Sequence, residues 1–101
     1  MLQLHLSDAT EKKMQQIISL HNDKDYFFNK VIDYQINQLK TGMFNIEKDL
    51  KEFELKYSMT TNLFYEKFEK GEIGDEHYYL IWAGIYDMYL KDKQKLNDLE
   101  W

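Results

Sequence analysis

The alternation at the amino terminus constrains this chain more than any other feature. In Met1-Leu2-Gln3-Leu4-His5-Leu6-Ser7 the leucines at 2, 4 and 6 alternate with Gln3, His5 and Ser7. That is the two-residue period of a strand with one dry face and one polar face. No later stretch repeats it, and the rest of the chain is helical in pattern. A lone strand leaves its backbone donors and acceptors unsatisfied, so it must pair. The simplest partner is the same strand from a second copy.

Helix signals begin at once. Asp8-Ala9-Thr10-Glu11 has the D-x-x-E form of a helix start, with Ser7 a competing cap one residue earlier. Met14, Ile17, Ile18 and His21 share one face, which predicts a helix from about residue 8 to about 20. His21-Asn22-Asp23 breaks it, Asn22 suiting a left-handed conformation and Asp23 a cap. The second helix begins near Lys24 and turns Phe27, Phe28, Val31 and Ile32 inward. From Ile32 a longer rule takes over. Ile32, Ile36, Leu39, Met43, Ile46, Leu50, Phe53 and Tyr57 are spaced alternately four and three apart, a heptad seam with no skipped position. One long helix from about 24 to about 57 is expected. A break at Thr41-Gly42 is the alternative, since glycine there costs about 1 kcal/mol against alanine.

Ser58-Met59-Thr60-Thr61 forms a second cap region. A short helix, about 61 to 70, gathers Phe64, Tyr65 and Phe68, and Gly71-Glu72-Ile73-Gly74 interrupts it. Asp75 is placed to cap the last helix, about 76 to 97. Tyr78, Tyr79, Ile81, Trp82, Ile85, Tyr86, Met88 and Tyr89 leave that helix few polar positions, and a helix apolar on most sides is usually enclosed. The expected fold is therefore mainly α. It has a short amino-terminal β-strand paired across a homodimer, a long second helix and a carboxyl-terminal helical hairpin. Three regions follow: 1–40 for dimerisation, 41–57 as a heptad extension, and 58–101 as an aromatic-rich hairpin for a partner. The dimer interface is expected at Leu2, Leu4, Leu6, Phe28, Ile32, Ile36, Leu39 and Met43.

Composition excludes several classes. With 101 residues the chain suits one small domain, which dimerisation would help stabilise. There is no cysteine, so disulfides and thiolate metal sites are out. The three histidines are scattered, and Asp75-Glu76-His77 is contiguous, so its side chains point to different helical faces instead of converging on an ion. No metal or cofactor is expected. No Ser-His-Asp or Cys-His arrangement is legible, so no enzyme is expected either. No apolar run reaches membrane-span length, and no signal peptide precedes the strand, so a cytoplasmic protein is expected. The net charge of −5 is uneven. Residues 1–40 hold five Lys and five acids, whereas residues 41–101 hold eight Lys and thirteen acids. An acidic carboxyl-terminal part suits a basic protein partner and repels nucleic acid.

The order LQLHLS, DATEKKMQQIISL, HND, KDYFFNKVIDYQINQLK resembles the ribbon–helix–helix family over about two-fifths of the chain. The resemblance implies an antiparallel two-stranded ribbon across a dimer, with Gln3, His5 and Ser7 entering a DNA major groove. It also implies that the turn Asp23-Lys24-Asp25-Tyr26 grips a phosphate. Asp23 and Asp25 oppose that grip, and Lys12, Lys13 and Lys24 partly offset them. All thirteen basic residues are Lys, so bidentate Arg–guanine contacts are absent. A second stretch, Phe64-Tyr65-Glu66-Lys67-Phe68, then Gly71 to Asp75, then Trp82-Ala83, resembles a segment of small prokaryotic proteins associated with toxin–antitoxin pairs. Together these imply an antitoxin-like dimer that binds operator DNA and masks a basic toxin. Phe64, Tyr65, Phe68, Tyr78, Tyr79, Trp82, Tyr86 and Tyr89 would be its partner-binding residues. The alternative is a helical dimeric adaptor that meets a protein partner and never touches DNA.

Overall fold

The structure is a computed structural model that describes residues 3–100. It contains four helices, α1 (Asp8–Ser19), α2 (Lys24–Tyr57), α3 (Thr61–Glu69) and α4 (His77–Leu99), and no strand among the described residues. Gln3–Leu6 carries no regular secondary structure, and Leu2 lies outside the described residues. The amino-terminal strand expected from the alternation is thus not seen among the described residues. The chain divides into two compact units, Met1–Gln35 and Ile36–Trp101.

In the first unit Ser7 caps α1, its Oγ accepting from the Thr10 N–H at 3.3 Å. The D-x-x-E box at Asp8 is therefore displaced by one residue. Asp8 and Glu11 instead lie in the first turn, where carboxylates complement the helix dipole. Asn22 is not left-handed; Ser58 is the one non-glycine residue with positive φ among the described residues. Asp23 caps α2 as expected, its Oδ1 accepting from the Tyr26 N–H at 3.0 Å. Leu4, Leu6, Met14, Ile18 and Phe28 line one apolar groove, together with Glu11 and Gln15. No described residue of this unit is buried. Leu4 is 64% and Leu20 80% exposed, and Phe28, Val31 and Ile32 are also exposed.

The second unit has a true core. The heptad stripe supplies Met43 and Leu50, which are buried, and Ile46, Phe53 and Tyr57, which are half-buried. Against Leu50 pack Phe64 of α3 and Trp82 and Ala83 of α4. The helix runs through Gly42 without a break. Its end is set by Ser58 in the left-handed region, φ 53°, with the Met59 N–H donating back to the Glu54 carbonyl at 3.2 Å. Thr60 then caps α3 by accepting from the Leu63 N–H at 3.3 Å. Gly71, φ 71°, ends α3. Its N–H reaches the Phe68 carbonyl and the Glu72 N–H reaches that of Lys67, the paired bonds of a Schellman stop. Ile73 packs on the core and holds the following turn down. The start of α4 departs from expectation. Its cap position is Glu76, without a side-chain hydrogen bond, and Asp75 does not cap it.

Two glycines should respond oppositely to alanine. A Cβ on Gly42 meets nothing within 4 Å, so Gly42→Ala should raise stability by about 0.5–1 kcal/mol through reduced chain entropy. Gly71→Ala meets open space too, but the positive φ should make it lose about 1 kcal/mol or more. Urea-unfolding midpoints of the two variants check both signs.

Candidate interaction surfaces

The side chains expected to face DNA are all at the surface of the first unit. Gln3, His5, Ser7, Lys12, Lys13 and Lys24 are exposed. The α2 amino terminus is electrostatically mixed. The Asp23 carboxylate already holds the Tyr26 N–H, and the Asp23 carbonyl accepts from the Phe27 N–H at 3.2 Å. The Tyr26 N–H, one donor that would otherwise serve an anion, is therefore occupied by the chain itself. His21 packs on Phe27 with ring centres 4.7 Å apart and planes tilted by 31°, and Phe27 in turn meets Phe28 edge-on at 5.1 Å. His21 thus has a local packing role.

The residues expected at the dimer interface separate into two kinds. Leu4, Leu6, Phe28 and Ile32 are exposed, with apolar surface open to a partner. Ile36 and Leu39 are half-buried, and Met43 is buried within its own chain. Met43 is a core position, and this corrects its assignment to the dimer seam. The heptad pattern identified the stripe but not what covers it.

The aromatic set of the second unit also divides. Phe64 and Trp82 are 0% exposed and cannot meet a partner, which corrects their assignment as partner-binding residues. Their rings lie parallel at 3.8 Å between centroids, 5° apart. Phe53 and Tyr57 stack on the same indole at 5.5 and 5.7 Å. The indole N–H donates to the Thr61 Oγ1 at 3.1 Å, and the Thr61 N–H donates to the Glu54 Oε2 at 2.7 Å. Three helices are thereby joined through one buried threonine. Phe68 and Tyr79 are half-buried and pack against this cluster.

Tyr65, Tyr86, Tyr89 and Tyr78 remain within reach of solvent. The Tyr65 hydroxyl donates to the Asp87 carboxylate, and its ring meets Tyr86 edge-on at 4.9 Å. The Asp87 acceptor holds the Tyr65 hydroxyl well above the usual tyrosine range, with burial and Glu69 acting in the same direction. The Tyr86 hydroxyl donates to Asn62 Oδ1 at 2.7 Å. Burial raises Tyr89, and the neighbouring Glu47 carboxylate raises it further. Tyr78 is exposed, with the Lys56 ammonium 4.3 Å from its ring centre.

Sequence reasoning missed the outer face of α4. Leu80, Ile81 and Met88 are exposed apolar side chains there. Centring the helical wheel on Trp82 would have found them. It puts Tyr79, Ile85, Tyr86 and Tyr89 inward and Leu80, Gly84 and Met88 on the far side. Among the described residues no three His, Asp or Glu side chains are grouped to hold a metal ion. Among those residues no helix is long and apolar enough to cross a membrane. Comparison with protein-family models, with curated proteins and with solved structures found no match.

Two measurements test this arrangement. Thr61→Val should cost about 1–3 kcal/mol, because the buried indole N–H loses its acceptor while volume is kept; equilibrium unfolding reads the loss. Ultraviolet titration should show Tyr65 and Tyr89 ionising later than ordinary tyrosines. Both pKa values are raised on folding. Their stabilising contribution is therefore fully present below the unfolded value of about 10 and declines as pH rises through the folded values. Tyr65→Phe should remove part of the late absorbance change.

Proposed function

We propose that the chain is an antitoxin-like, non-catalytic dimer of a type II toxin–antitoxin system. In this reading the first unit pairs two copies through an antiparallel ribbon. The ribbon turns Gln3, His5 and Ser7 toward operator DNA, while the second unit masks a basic cognate toxin and the complex acts in the cytoplasm. The observation that carries the reading is the state of the first unit. It pairs a strand-patterned segment with two amphipathic helices, yet none of its described residues is buried and it exposes Leu4, Leu6, Phe28 and Ile32. A unit of that size with an uncovered apolar face gains most by burying that face against itself in a second copy. Pairing the two Gln3–Leu6 segments would satisfy their backbone groups in the same step.

The acid excess of residues 41–101 supports the partner half of the reading. Proteins that cut or bind RNA tend to be basic, and complementary charge speeds association. The hairpin would mask by steric and electrostatic contact alone.

A second reading, a dimeric adaptor without DNA, is favoured by one specific observation. The Asp23 carboxylate occupies the Tyr26 N–H at the turn where a phosphate would sit, and Asp25 adds a further negative charge beside it.

Mobility shift on the chain's own promoter, at several salt concentrations, separates the two. A shift that weakens steeply with salt and is relaxed in specificity by a Gln3→Ala/His5→Ala double variant supports operator binding. No shift at low salt leaves the adaptor. Leu4→Asp should turn a dimer into a monomer in analytical ultracentrifugation, because a carboxylate would enter the dry face. A dimer that survives Leu4→Asp would overturn the ribbon. For the partner, a small, basic, growth-inhibiting protein encoded next to this chain and neutralised by co-expression is the expected finding.

A further inference from the structure

The second unit carries a solvent-open cleft of about 400 Å³ where α2, the start of α3 and α4 meet. It is lined by Glu47, Leu50, Lys51 and Glu54 of α2, by Thr60, Thr61 and Asn62, and by Tyr86 and Tyr89. The Tyr86 and Tyr89 rings lie nearly parallel, 12° apart, with centroids 6.1 Å from one another. The cleft thus combines aromatic faces, two carboxylates and a single ammonium. Such a lining attracts a cation, and a planar one best. A guanidinium can lie flat on a tyrosine ring while its edge donates two parallel hydrogen bonds to a carboxylate. The surrounding sequence adds to the attraction, since residues 41–101 hold thirteen acids against eight lysines.

We infer that this cleft is a receptor for an arginine side chain of a protein partner, with Glu47 pairing the guanidinium and Tyr86 and Tyr89 supporting it. The chemistry of the cleft stands by itself; only the identity of the partner, a basic toxin, rests on the function proposed above. The positions divide by role. Glu54 is half-buried and already accepts from the Thr61 N–H, so it holds the corner between α2 and α3 as well as adding charge. Glu47 is exposed, and its carboxylate, which lies close enough to the Tyr89 hydroxyl to raise it, keeps acceptor capacity for a ligand. The Tyr86 hydroxyl donates to Asn62, which leaves its oxygen free to accept from a guanidinium N–H.

The test uses the full chain and N-acetyl-arginine methylamide as probe, with the lysine and norleucine analogues as controls, followed by amide and ring resonances in solution. The expected result is a saturable, millimolar shift confined to Glu47, Asn62, Tyr86 and Tyr89. The arginine probe should bind more tightly than the lysine one, the norleucine one should not bind, and Glu47→Gln should weaken arginine about tenfold. Circular dichroism of Glu47→Gln, at an exposed position, confirms that its fold is kept. Shifts that are absent, that spread over the surface, that norleucine reproduces, that lysine equals, or that survive Glu47→Gln would each overturn the assignment. Neither DNA nor toxin is in the sample. A failed mobility shift therefore sinks the operator reading without touching the receptor, and a failed titration does the reverse.

Discussion

The second unit depends on the contact between the Trp82 indole and the amino terminus of α3. Trp82 is the largest buried side chain among the described residues, and its ring is walled by Phe64, Phe53 and Tyr57. An indole gains heavily from burial, on the order of several kcal/mol, but its N–H must find an acceptor. Thr61 supplies it, and Thr61 is itself held by the carboxylate of Glu54. One residue from each of α2, α3 and α4 is committed to that chain of bonds. The helices cannot slide without stranding a polar group in the core, so the junction specifies their register as well as stabilising it. The turn between α2 and α3 is set in kind. Ser58 stops α2 and Thr60 starts α3 just before the threonine that must meet the indole.

The first unit has nothing comparable. Its side chains are as apolar as those of the second, yet none of its described residues is buried. The difference is one of geometry, not composition. Two helices and an extended segment can shelter one side of each apolar face but cannot enclose it, whereas three helices around a tryptophan can. A face left in that condition is a cost to the isolated chain and a driving force for association. The contrast between the two units is thus the physical basis of the proposed division of labour. In the proposed reading one half would be completed by a copy of itself, and the other, already enclosed, would offer its surface to something else.

That finished surface is not the set of aromatics that the sequence first draws attention to. Trp82 and Phe64 are spent on the core. What remains outside is a rim of tyrosines, of which Tyr65 is tied by its hydroxyl to a carboxylate and Tyr86 to an amide, and an apolar strip on the outer face of α4. Tyrosines anchored in this way lose little further entropy when they meet a ligand, so a partner gains from ring faces already in place. The acidic side chains around them set the sign of what they can hold.

The helices were legible in the sequence because their signals are local. Period, caps and breakers act within a few residues, and so the reach of α2 from Lys24 to Tyr57 could be read off a spacing of fours and threes. Cap choice was legible only to within one residue, since Ser7 and Asp8, or Asp75 and Glu76, offer similar chemistry and backbone geometry decides between them. What no local rule could say is which apolar residues face one another. Met43 and Ile32 sit on the same heptad stripe, yet one is buried and the other exposed, while Leu50 further along it is packed against Phe64 and Trp82. Trp82 and Tyr78 belong to the same helix, yet one is core and the other surface, because burial is conferred by neighbours distant in the chain. Periodicity is a property of a segment. Enclosure is a property of the packed whole, and that is why the elements were written in the sequence while the division into core and contact surface arose only with the tertiary structure.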